Sequence, residues 1–98
     1  MKLIRNKLAL TPFPGAVRTV MIARLDTEKA LIIDKILEEA LEIFNARSVE
    51  EIKQEMADLE EVLSHAKKLH NISQAEIDKI RMEKNEARGT FDGGFILV

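Results

Sequence analysis

Cysteine, tryptophan and tyrosine are all missing from this 98-residue chain. Lacking cysteine, it can form neither a disulfide nor a thiolate metal site, which fits a reducing cytoplasm as the expected location. Lacking Trp and Tyr, it must build an aliphatic core, and any stacking surface has to come from Phe13, Phe44, Phe91 or Phe95. No apolar run approaches the ~18 residues of a membrane span, and Met1-Lys2-Leu3-Ile4-Arg5 has no signal-peptide core. Neither sign of charge dominates: 15 basic residues face 17 acidic ones, for a formal net charge of −2. With no basic block and no aromatic platform, general nucleic-acid binding is excluded as well. The expectation is one small domain over residues 1–98, with no membrane and no nucleic-acid partner.

Only two prolines and four glycines interrupt the chain, so what is present is mostly helix. Residues 1–25 read as a basic arm and loop, with Pro12, Pro14 and Gly15 forbidding a continuous helix. Arg18 to Arg24 is β-prone and could run extended. Asp26 or Thr27 can cap a first long helix reaching about Ala46. Ser48-Val49-Glu50-Glu51 predicts a capping box opening a second helix to about His70, with Asn71 as a left-handed stop. Ser73-Gln74-Ala75-Glu76 predicts another box, opening a third helix that ends before Gly89. The very short link between the first two helices makes them antiparallel neighbours. The predicted class is all-α: an antiparallel bundle of three main helices over 26–88, an irregular N-terminal arm, and a tail over 89–98.

Three helices of this size bury a thin core. Leu31, Ile33, Leu37, Leu41 and Phe44 widen the apolar surface of the first helix past half its circumference. They call for a second covering surface, so a homodimer or homotetramer with four-helix layers between protomers is expected.

The informative stretch is Ile36 to Asp58. Glu39 and Glu42 lie three apart, as do Glu55 and Asp58, so each pair shares a helix face. At about 100° per residue, Ile52, Leu59, Val62 and Ala66 surround Glu55, and Asp58 stands at the edge of the same stripe. Ile32, Ile36 and Ile43 flank Glu39, while Glu42 and Glu38 lie progressively nearer the polar side. Acidic pairs at this spacing are common on solvated faces. Two pairs on consecutive helices, both set beside apolar stripes, are harder to ascribe to composition. Packed stripes would gather Glu39, Glu42, Glu55 and Asp58, whose mutual repulsion and desolvation a bound cation relieves. An all-oxygen set suits Mg²⁺, Mn²⁺ or Ca²⁺ rather than zinc.

Glu38-Glu39-Ala40-Leu41-Glu42 followed by Glu55-Met56-Ala57-Asp58 resembles the EExxE…ExxD signature of the MazG-like all-α nucleoside triphosphate pyrophosphohydrolases. Lys2-Leu3-Ile4-Arg5-Asn6-Lys7 is similar to the KLVRDK opening of the small stand-alone members, described as phosphoribosyl-ATP pyrophosphohydrolase-like. Arg81 to Phe91 is similar to their closing KxxxRGxF segment. Asn6 stands where an acid is usual, and Leu8 to Met21 has no counterpart.

The resemblance implies hydrolysis of a nucleoside triphosphate substrate to the monophosphate and pyrophosphate with Mg²⁺ or Mn²⁺. It implies Glu39, Glu42, Glu55 and Asp58 as metal ligands, and Glu38 as an outer carboxylate or general base. Lys2, Arg5, Lys7, Lys84 and Arg88 are the candidates for lining the pyrophosphate exit. The competing expectation is a non-enzymatic oligomerisation or adaptor module with a structural ion. Within the enzyme class, phosphoribosyl-ATP is an alternative substrate. His65, His70 and Glu61 are expected in surface or packing roles, and Gly93-Gly94 lacks the strand and helix a phosphate loop needs.

Overall fold

The computed structural model of the protein describes residues 1–10 and 19–98. The expected break at Pro12 to Gly15, together with Phe13 and Arg18, lies outside the described residues. Among those described, the chain is all-helical and contains no strand: α1 Asn6–Ala9, α2 Leu25–Phe44, α3 Val49–Leu69 and α4 Gln74–Arg88. Residues 19–24 lead into α2 without regular structure. Among the described residues no helix is long and apolar enough to cross a membrane.

The helix ends show local chemistry at work. Ser73 and Glu76 form a complete capping box: Ser73 Oγ accepts from the Glu76 N–H, and the Glu76 carboxylate accepts from the Ser73 N–H, both at 3.1 Å. The Ser73 N–H, and with it the Ser73 hydroxyl donating to the same carboxylate at 3.0 Å, hold the Glu76 carboxyl below its ordinary value. Asn71 takes the left-handed conformation, φ 55°, and reverses the chain between α3 and α4. At Ser48 only half of the expected box is present. Its Oγ accepts from the Glu51 N–H at 3.1 Å, but the Glu51 carboxylate takes the Arg47 N–H instead, at 2.7 Å.

The start of α2 differs from the expected one. It opens at Leu25 behind Arg24, which supplies no side-chain cap, while Asp26 accepts from the neighbouring Thr27 N–H at 2.9 Å. Asp26 and Glu28 therefore act from inside the first turn, where negative charge is stabilised by the positive end of the helix dipole.

α2 and α3 pack as an antiparallel hairpin. Glu28, near the start of α2, meets His65, near the end of α3, at 3.0 Å. The centre of the pair is small. Ile32 and Ala66 are its buried apolar residues, 3% and 8% exposed, ringed by half-buried Ile36, Ile43, Ile52, Leu59 and Val62. α4 joins at its first turns, where Lys67 reaches the Gln74 amide oxygen and Ile77 is half-buried. It buries no residue. The result is elongated, with a radius of gyration of 17.2 Å against about 12.6 Å for a compact chain of this length.

Candidate metal centre

The hairpin register sets α2 acids against α3 acids. Glu39 lies two turns along the same face of α2 as Ile32 and is the one buried charged residue among those described, 9% exposed. Glu55 and Asp58, half-buried on α3, face it. One carboxylate oxygen from each of the three lies within 4.8 Å of the others.

Three anions this close, partly removed from water, oppose their own ionisation. The Glu55 carboxyl is pushed above its ordinary value, first by desolvation and then by the charges of Glu42, Asp58, Glu39 and Glu51. A raised carboxyl pKa means that the ionised form of Glu55 is less favourable in the folded state than in the unfolded chain. At neutral pH the bare cluster therefore works against folding.

Cations crowd the rim of the cluster. Lys35, one turn before Glu39, places Nζ 3.0 Å from Glu38 Oε2 and 3.8 Å from Glu39 Oε1. Lys2 reaches Glu38 at 3.2 Å, and Arg5 reaches Asp58 Oδ1 at 2.7 Å. Glu38 is held below its usual value, chiefly by the Lys35 hydrogen bond, with Lys2 adding to it against a desolvation penalty.

The donor set fits a hard divalent ion. Oxygen ligands at roughly 2.0–2.6 Å from such an ion stand up to about 5 Å apart when opposite each other, so the spacing of Glu39, Glu55 and Asp58 is one that a single ion spans. All-carboxylate ligation favours Mg²⁺, Mn²⁺ or Ca²⁺ over softer metals. Three protein ligands leave positions for water or substrate oxygens.

Not every expected residue joins this trio. Glu42 is exposed and outside it, although its charge bears on Glu55. Glu38 stands beside it, engaged with the two lysines. Lys2 and Arg5 arrive from the arm onto the acids, and Lys7 lies in the last turn of α1. Lys84 and Arg88 are exposed on α4, and among the described residues no ion pair ties them to the acids. His65 is exposed and its Nε2 lies 3.0 Å from Glu28 Oε1. Lys35 was missed by sequence reasoning, although its place four residues before Glu39 was a usable signal. A comparison of the chain with protein-family models, curated proteins and solved structures finds no match in any of the three.

Proposed function

We propose that the protein is a metal-dependent pyrophosphohydrolase that cleaves a nucleoside triphosphate to the monophosphate and pyrophosphate. The observation that carries this reading is the carboxylate trio, with Glu39 buried on α2 and Glu55 and Asp58 facing it from α3. Glu39, Glu55 and Asp58 would hold Mg²⁺ or Mn²⁺, with Glu42 one turn away, and the bound ion would supply charge neutralisation and an activated water. Glu38 stands close by as a carboxylate able to take the proton of that water once Lys35 and Lys2 release it. Lys2 and Arg5 already touch the acid face and can turn to the phosphates. Lys7, Lys84 and Arg88 are assigned to the departing pyrophosphate, as the sequence resemblance implies. The working unit in this reading is a homodimer or homotetramer.

Purified protein with Mg²⁺ or Mn²⁺ should release pyrophosphate, and not orthophosphate, from at least one member of a nucleotide panel that includes phosphoribosyl-ATP. Glu39→Gln should abolish that release while leaving the helical signal intact. A panel that yields no turnover with either ion removes the enzyme reading.

A second reading is favoured by the broad exposed apolar surface: a helical adaptor whose acids hold a structural ion. Under it, Asp58→Asn changes the melting temperature in the presence of the ion, and no nucleotide is cleaved.

A further inference from the structure

Residues 1–10 carry Lys2, Arg5 and Lys7 and no acid, and this short arm meets both helices of the hairpin. Lys2 Nζ stands 3.2 Å from Glu38 Oε1 on α2, and Arg5 Nη2 stands 2.7 Å from Asp58 Oδ1 on α3. Leu3, between the two, is half-buried. The next part of the arm adds little anchorage, since α1 has four residues and buries none. Both ion pairs are open to water, with the Lys2 and Arg5 side chains 64% and 60% exposed, and pairs of that kind hold weakly. The arm therefore spans α2 and α3 on two weak contacts, and one of them is to an acid of the trio.

We propose that the arm is a strap over the acid cluster, closed while the cluster holds no ion and released when a divalent cation takes Asp58. This rests on the metal-dependent reading above. A cation on Asp58 and the Arg5 guanidinium share one carboxylate, and the two positive charges repel across it. The competition is unequal. The ion draws on Glu39, Glu55 and Asp58 together, whereas Arg5 makes a single exposed ion pair with Asp58. Once Arg5 is displaced, the arm is left with the exposed pair between Lys2 and Glu38, which salt screens. With no ion bound, the same contacts bring positive charge to acids that repel one another. Lys35 does the same work in a different way. It sits on the same helix as Glu38 and Glu39, with its side chain only 18% exposed, so it is a fixed counter-charge, and the arm is the removable one. The coupling is reciprocal: by whatever factor the closed strap weakens ion binding, a bound ion weakens the closed strap.

Trypsin reads the strap in the full chain, because Arg5 must leave Asp58 before the protease can take its side chain. The rate of cleavage after Arg5 is followed against that after Arg24, which ends the irregular segment before α2. Titration with Mn²⁺ at constant ionic strength should raise this ratio roughly two- to fivefold, the range that an exposed ion pair is worth. Calorimetry on the same samples reads ion binding. Asp58→Asn should show the raised ratio without Mn²⁺ and no response to it. Glu38→Gln, which removes only the Lys2 contact, should start between the two and keep the response. Saturable Mn²⁺ binding with an unchanged ratio in the wild-type chain overturns the strap and leaves the metal centre standing. An Asp58→Asn ratio equal to that of the ion-free wild type also overturns it. Absence of Mn²⁺ binding overturns the metal reading and the ion-driven release with it, so the two failures are told apart by the calorimetry.

Discussion

The two faces of α2 reverse the usual arrangement of a soluble helix. Its inner face, against α3, buries a carboxylate at Glu39 where carbon is the stable choice. Its outer face shows Ile33, Leu37, Leu41 and Phe44 to water where charge is the stable choice. Polar burial and apolar exposure are the two departures from ordinary burial that carry information. On the inner face the missing element is a positive charge, and on the outer face it is hydrocarbon. In the proposed reading, an ion would answer the first of these departures and a covering apolar surface the second.

The sharpest way to break this contrast is to neutralise the inner face. Glu39→Gln is expected to reduce pyrophosphate release by at least about a hundredfold, as for removal of a group that holds a catalytic ion. Helicity by circular dichroism should be unchanged. Next comes the core that joins the faces. Ile32→Ala removes the most buried apolar side chain, 3% exposed, and should cost about 2–4 kcal/mol in chemical denaturation. In a core this thin that is a large share of the total stability.

A third prediction separates repulsion from ligation. Without divalent ions, Glu55→Gln should melt higher than wild type, because Glu55 is the group whose ionisation its neighbours oppose. Saturating Mn²⁺ should raise the wild-type melting temperature and leave Glu55→Gln nearly unmoved. A smaller effect is expected at the rim. Arg5 holds an oxygen of Asp58, with the two side chains 60% and 41% exposed, so the pair is worth at most about 1 kcal/mol. Arg5→Ala should therefore tighten Mn²⁺ binding by no more than about fivefold.

The subtlest prediction concerns α4, which neither face supports. The Glu76 carboxyl is held below its ordinary value by the Ser73 N–H and hydroxyl. Its contribution is full above the unfolded value and is lost as pH falls through the lowered one. Amide-exchange protection in the first turn of α4, taken relative to the intrinsic rate at each pH, should fall on acidification through that range. Glu76→Gln should remove the pH dependence.

How much of this was legible in the sequence depended on how local the cause was. The Ser73 box, the Asn71 reversal and the end at Gly89 are set by residues within four positions of one another, and the sequence anticipates all three. The start of α2 was placed one or two residues late because Arg24 caps nothing and Asp26 works from within the helix. Ser48 and Glu51 have the box spelling, yet the tight turn gives the Glu51 carboxylate the Arg47 N–H first. Helical periodicity anticipated that Glu39, Glu55 and Asp58 converge, since each lies inside or beside an apolar stripe. It could not exclude Glu42, which is about 60° further round α2, a margin that only the actual packing resolves. The grip of Arg5 and Lys2 on the acids spans 53 and 36 residues, and no pattern within one helix encodes it.

Calorimetric titration of the metal-free protein with Mn²⁺, beside Glu55→Gln and Asp58→Asn, tests the inner face most directly. Saturable binding to wild type, weakened at least about tenfold in each variant, is the predicted result. No saturable binding to wild type, or equal binding in all three proteins, would contradict a metal centre shared by α2 and α3.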